Sequence, residues 1–65
     1  MNIKVNSKDE VIPEGLNILE FLEYKKIKSK AAVWVNGGQL LLKEYSEYRI
    51  KENDVIKVLK IIGGG

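Results

Sequence analysis

The sequence contains no cysteine and no histidine. The chain therefore lacks thiol nucleophiles, disulfide staples, the commonest general base and the usual zinc ligands. It has to hold itself together by packing alone, which suits a reducing compartment. An excess of one charge is missing too: 11 basic and 9 acidic residues leave a net charge of +2. That is far from the strongly basic footprint expected of a nucleic-acid-binding domain. No apolar run approaches the ~20 residues that span a bilayer. The first residues alternate and carry Lys4, so they do not read as a signal peptide. A chain of 65 residues makes one small domain that buries about 60% of its unfolded surface. Little room is left for a deep, self-contained active site. These limits point to a small cytoplasmic binding or carrier module with neither nucleic acid nor membrane as partner.

Met1-Asn2-Ile3-Lys4-Val5-Asn6 alternates apolar and polar residues, the period of a strand with one buried face. A turn cluster, Asn6-Ser7-Lys8-Asp9, leads into Glu10-Val11-Ile12-Pro13 as an antiparallel partner. Pro13 has no N–H to donate, so that strand stops there or lies at an edge. Glu14-Gly15 turns the corner into the one convincing helix. Asn17 is its N-cap, Glu20 completes a capping box three residues on, and Leu16 and Phe21 stand at hydrophobic-staple spacing. Ile18, Phe21 and Leu22, with the alkyl stem of Lys25, form the buried stripe. Lys25, Lys26, Lys28 and Lys30 crowd the end of this segment, where cations complement the helix dipole. They read first as a solvated helix end and second as a docking patch for an acidic partner.

Ala31-Ala32-Val33-Trp34-Val35-Asn36 is a strand by its β-branched and aromatic content. Asn36-Gly37-Gly38 supplies residues that tolerate positive φ, hence a tight turn, and Gln39-Leu40-Leu41-Leu42 returns as a short strand. From Lys43 to Glu52 the period fades, with Tyr45, Tyr48 and Ile50 as anchors into the core. Glu52-Asn53-Asp54 is a second turn, with Asn53 suited to the left-handed conformation. Val55 to Ile62 is the last and most strongly strand-like stretch. Strand parity puts Val33, Val35, Ile56 and Val58 toward the helix and Trp34, Lys57 and Leu59 on the opposite face. Continued alternation would bury Lys60, which calls for a bulge or an early strand end. One helix over one face of a mixed sheet of four to five strands is the economical way to bury these faces. The class is α+β and the order is that of the β-grasp, the ubiquitin-like fold, with first and last strands parallel at the centre.

Side-chain catalysis finds no foothold. Glu10, Glu14, Glu20, Glu23, Glu44, Glu47 and Glu52 have no spacing that forces two carboxylates into one cleft. Asn36-Gly37-Gly38 is too short for a phosphate-binding loop and is not followed by a helix. The distinctive feature is Gly63-Gly64-Gly65, a tail directly after the last strand, which divides the chain into a 1–62 domain and a 63–65 tail. Residues without Cβ atoms can lie in a narrow channel, and three of them extended reach roughly 10 Å. The α-carboxylate of Gly65 is ionised at neutral pH. Given a partner that supplies magnesium and electrostatic stabilisation, it is a competent nucleophile toward the α-phosphate of ATP.

These features together resemble the ThiS family, sulfur carriers of thiamine biosynthesis, over essentially the whole chain. The resemblance rests on the N-terminal hairpin, Gly15 before the capped helix with Phe21-Leu22, Ala32-Val33-Trp34-Val35-Asn36, the acidic turn ending at Asp54, Tyr45 and the Gly64-Gly65 terminus. The chain departs from the family in three places. Leu41-Leu42 precede Lys43 where a Pro followed by Arg or Lys is frequent, Glu52-Asn53-Asp54 replaces an Asp-Gly-Asp turn, and Gly63 is a third glycine. The resemblance implies a protein cosubstrate rather than an enzyme. Gly65 would be adenylated by a ThiF-like enzyme using ATP and Mg, then converted to a thiocarboxylate with sulfur drawn from cysteine through a desulfurase. A ThiG-like thiazole synthase would receive the sulfur, while Gly63 and Gly64 thread the tail. No cofactor would be bound by the carrier itself. An open-face patch of Trp34 and Leu59 is the expected contact for the adenylating enzyme, since aromatic anchors carry much of the energy of protein interfaces. Two alternatives stay open: a MoaD-like carrier for molybdopterin synthesis, and a ubiquitin-like interaction module without catalytic chemistry.

Overall fold

The computed structural model describes residues 1–28 and 30–61. Strands β1 (Asn2–Val5) and β2 (Lys8–Val11) form the opening hairpin. Its turn is tighter than the sequence cluster indicates: Asn6 and Ser7 both take positive φ, 50° and 71°, the pattern of a two-residue hairpin loop whose twist matches the flanking strands. Lys8 and Asp9 belong to the ladder, opposite Val5 and Lys4.

Helix α1 (Ile18–Tyr24) starts as its sequence requires. The Asn17 side chain accepts from the Glu20 N–H at 2.8 Å, and the Glu20 carboxylate accepts from the Asn17 N–H at 2.9 Å. Ile18, Phe21 and Leu22 are its buried residues. The far end differs from expectation. Lys26 adopts φ 60°, its N–H donates to the Glu23 carbonyl and the Ile27 N–H to the Leu22 carbonyl. This is the Schellman pattern, closed by a lysine in the left-handed conformation that glycine usually occupies. The last turn holds no basic residue, so Lys28 and Lys30 follow the helix rather than complementing its dipole. Lys25 is the C-cap, and its ammonium pairs with Glu10 of the edge strand β2.

Strand β3 (Ala31–Val35) pairs antiparallel with β4 (Gly38–Gln39) and with β5 (Val55–Lys60). The turn between β3 and β4 uses Asn36 and Gly37, at φ 50° and 87°. The sequence predicts a returning strand over Gln39-Leu40-Leu41-Leu42, but β4 lasts only the two residues Gly38–Gln39. The Leu41 N–H is captured by the Glu44 carboxylate at 2.7 Å, and Leu42–Glu44 winds into a 3₁₀ turn. Three successive leucines have no period of two to hold them in a half-buried ladder. Strand β5 ends at Lys60, which pairs with Ala31 in unbroken register and is nonetheless exposed, so neither the expected bulge nor a strand end before Lys60 is what spares its burial. Ile62, assigned to this strand by its β-branched character, lies outside the described residues, as do Gly63, Gly64 and Gly65 and with them the boundary of the tail.

The sheet runs β2-β1-β5-β3-β4, with β1 and β5 parallel in register Lys4↔Val55 and Val5↔Ile56. This is the β-grasp order, with α1 as the crossover. Ile3, Val5, Val33, Val35, Ile56 and Val58 line the covered face beneath the helix and are buried. Tyr45 and Ile50 close the core from the irregular segment, with Tyr48 packed at its margin. The Tyr45 hydroxyl donates to the Ala31 carbonyl at 2.8 Å, satisfying a buried phenol that would otherwise carry a desolvation cost. Among the described residues no helix is long and apolar enough to cross a membrane.

Candidate functional site: the open sheet face and the root of the tail

Alternation along β3 and β5 places Trp34, Lys57 and Leu59 together on the face away from α1. Trp34 lies directly across from Lys57 and Ala32 across from Leu59, which makes Trp34 and Leu59 diagonal neighbours within reach of an aromatic side chain. The Lys57 ammonium sits 5.6 Å from the centroid of the Trp34 ring, a cation–π geometry. Trp34 is partly buried, whereas Leu59 is 55% exposed. Both residues of the expected patch are thus brought together, with a lysine beside them.

The last described residues are placed by where β5 stops. Strand β1 accompanies only the beginning of β5. Beyond it, the Asn6 side chain accepts from the Val58 N–H at 2.8 Å, across 52 positions of sequence. The Ile61 N–H donates to the Lys30 carbonyl at 2.8 Å, tying the last described residue to the chain entering β3. Gly63, Gly64 and Gly65, the expected threading residues and modified terminus, lie past this point and outside the described residues.

The start of β5 is held by a polar lock where the sequence shows turn chemistry alone. Asp54 is 6% exposed and is the one buried charged residue among the described residues. Its carboxylate accepts from the Tyr48 hydroxyl at 2.7 Å, the Lys51 N–H at 2.8 Å and the Asn36 side-chain amide at 3.1 Å. The Asn36 side-chain oxygen in turn accepts from the Val55 N–H at 2.9 Å. Burial pushes the Asp54 carboxyl up, but the bonds from Tyr48, Lys51 and Asn36, with the charge of Lys51, hold it below the usual carboxylate value. Burial, followed by the bond to Asp54 and its charge, pushes the Tyr48 phenol up to about 12. The lock joins the β3–β4 turn, the irregular segment and β5, and so fixes the register on which the position of Ile61 depends. Its one sequence signal is an acidic residue ending a turn just before a β-branched strand. That signal does not show that three donors converge on the carboxylate.

Comparison with known proteins gives a consistent result. The model of the ThiS family matches residues 1–65. A crystal structure of thiamine biosynthesis protein ThiS from Geobacter metallireducens is 30% identical, with a TM-score of 0.86 over 100% of both chains. A solution NMR structure of a thiamine biosynthesis protein from the same organism is 29% identical, with a TM-score of 0.82 over 100% of this chain and 88% of that one. No curated protein matches significantly.

Proposed function

This chain belongs to the ThiS family of thiamine-biosynthesis sulfur carriers, and on that premise we propose that its working group is the α-carboxylate of Gly65. The observation that carries the reading is a family match that extends through residue 65 and so takes in the glycine tail. The carboxylate attacks the α-phosphorus of ATP and displaces pyrophosphate, giving an acyl-adenylate. The terminal sulfur of a persulfide then attacks the carbonyl carbon and AMP leaves with one carboxylate oxygen. A second thiol cleaves the resulting S–S bond, forming a disulfide and leaving Gly65 as a thiocarboxylate. A ThiF-like enzyme supplies the ATP, magnesium and electrostatic stabilisation. A desulfurase draws the sulfur from cysteine, and a ThiG-like synthase accepts it for thiazole formation. The carrier contributes a shape: a scaffold that ends β5 at Lys60 and then a run without side chains, Gly63 to Gly65, able to enter a narrow channel.

The adenylating enzyme docks on the open face, with Trp34 as anchor and Leu59 beside it. Lys57 over the Trp34 ring holds the indole in place and offers a charge to a partner carboxylate. The reading is tested by incubating the chain with a ThiF-type enzyme, ATP, magnesium and a sulfur source and weighing the product. Sulfur in place of oxygen adds about 16 Da at the acyl centre, and a chain lacking Gly65 gains nothing. Mass unchanged for the intact chain rejects the carrier reading.

A further inference from the structure

Four of the large apolar side chains exposed on this protein, Leu19, Leu41, Leu42 and Ile61, converge on one groove instead of scattering. The groove, about 1020 Å³ in volume, runs along the edge of β3 between the end of α1 and the Leu40–Leu42 segment. It exists because β4 stops at Gln39, leaving the first half of β3 without a covering strand. Leu42 is 79% exposed and Leu41 59%, and neither has a place in the core. Exposed apolar clusters with a polar rim mark sites of protein association.

The rim states what kind of protein. Lys26, Lys28 and Lys30 stand around the groove against a single carboxylate, Glu23. A two-fold pairing of this face with a second copy would bring two lysine-rich rims together, so charge opposes that occupant. Strand addition is opposed by hydrogen bonding. The Ala31 carbonyl already accepts from the Tyr45 hydroxyl, and the Val33 carbonyl accepts from the Leu40 N–H at 2.9 Å. What the groove offers is side-chain contact to an apolar segment laid along it, the helix-in-groove mode. Its wall includes Ile61, four residues before Gly65, so whatever lies there also holds the root of the tail.

We propose that this groove docks a partner protein through an apolar segment flanked by Asp and Glu, on a surface distinct from the Trp34 patch. Naming the partner as an enzyme that handles the tail rests on the proposed function; the groove and its charge do not. Two docking surfaces on one small carrier let partners be told apart by face while all of them reach the same terminus.

The test pairs a groove variant, Leu41→Asp with Leu42→Asp, against Val11→Asp, an equally exposed substitution at the opposite edge of the sheet. Both variants change exposed side chains, and thermal unfolding of each confirms retention of the fold. Affinities of the full chain for a ThiF-type adenylating enzyme and a ThiG-type synthase are measured by calorimetry, and self-association by sedimentation. The groove variant is expected to bind at least one enzyme tenfold or more weakly, with Val11→Asp close to the parent. Reversing Lys26, Lys28 and Lys30 to Glu is expected to weaken the same complex and flatten its salt dependence. Unchanged affinity of the groove variant for both enzymes overturns the proposal. So does a parent dimer that the groove variant dissociates, because a second copy then fills the site. If the parent gains sulfur while the groove variant binds like it, only the groove assignment fails. If the parent binds neither enzyme and gains no sulfur, both readings fail.

Discussion

The two faces of this sheet come from the same strands and have opposite fates. On the face beneath α1, Val33, Val35, Ile56 and Val58 are buried, and their removal from water holds the molecule together. One residue along in each case, Trp34, Lys57 and Leu59 look outward and add little to folding. A domain this small has a thin margin of stability, so it can carry recognition only on positions the core does not need. Alternation supplies such positions at every second residue. The difference teaches that substitutions on the two faces should separate stability from partner binding.

The largest expected effect breaks the covered face. Phe21 is fully buried, and Phe21→Ala in such a setting costs about 3–5 kcal/mol, a large part of the stability of a domain this size. Urea denaturation should show the variant largely unfolded or with a much lower midpoint, and every partner interaction should fall with it. Next comes the charge buried at the end of the sheet. Asp54→Asn removes an ionised acceptor of three hydrogen bonds and is expected to cost about 2 kcal/mol. Since the folded state holds the Asp54 carboxyl below its usual value, the unfolded chain takes up the proton first as pH falls. The contribution is therefore complete above the ordinary carboxylate value and is lost as pH drops through the folded one. Denaturation midpoints measured from neutral to acid pH should show a slope that Asp54→Asn reduces.

The smallest effect on folding and the sharpest on recognition belongs to the open face. Trp34→Ala should change stability by about 1 kcal/mol or less, as for a partly exposed side chain. It should weaken adenylation at subsaturating carrier by roughly tenfold or more, as an aromatic anchor does. A Trp34→Ala chain that is adenylated like the parent would show that the open face is not the docking surface. One as unstable as Phe21→Ala would remove the distinction between the faces.

Much of this comparison was legible in the sequence because it depends on local rules. The alternation of Ile3 with Val5 and of Ile56 with Val58, the Asn17–Glu20 box and the positive-φ residues Asn36 and Asn53 each act through near neighbours. What escaped depends on which of several local options the chain takes and, at Asp54, on a contact distant in sequence. Leu40-Leu41-Leu42 looked like a strand by composition, but the Glu44 carboxylate draws the chain out of the ladder. The helix ends at a left-handed Lys26, for which no glycine gave notice, and the lysines after it become the rim of a groove. Asp54 read as a turn residue because its partners Asn36, Tyr48 and Lys51 converge only once the fold has formed. Of the site, the sequence indicated the tail, the Trp34–Leu59 pair and the lysine cluster, but gave no sign of the apolar groove that Lys26, Lys28 and Lys30 rim.

The most direct measurement compares two chemically defined carriers in reconstituted thiazole formation, one ending in the free carboxylate of Gly65 and one in its amide. With the adenylating enzyme, desulfurase, synthase and ATP present, the account predicts that only the free acid gains the mass of sulfur and supports product. Equal product from the amide, with the blocking group still attached, would contradict it.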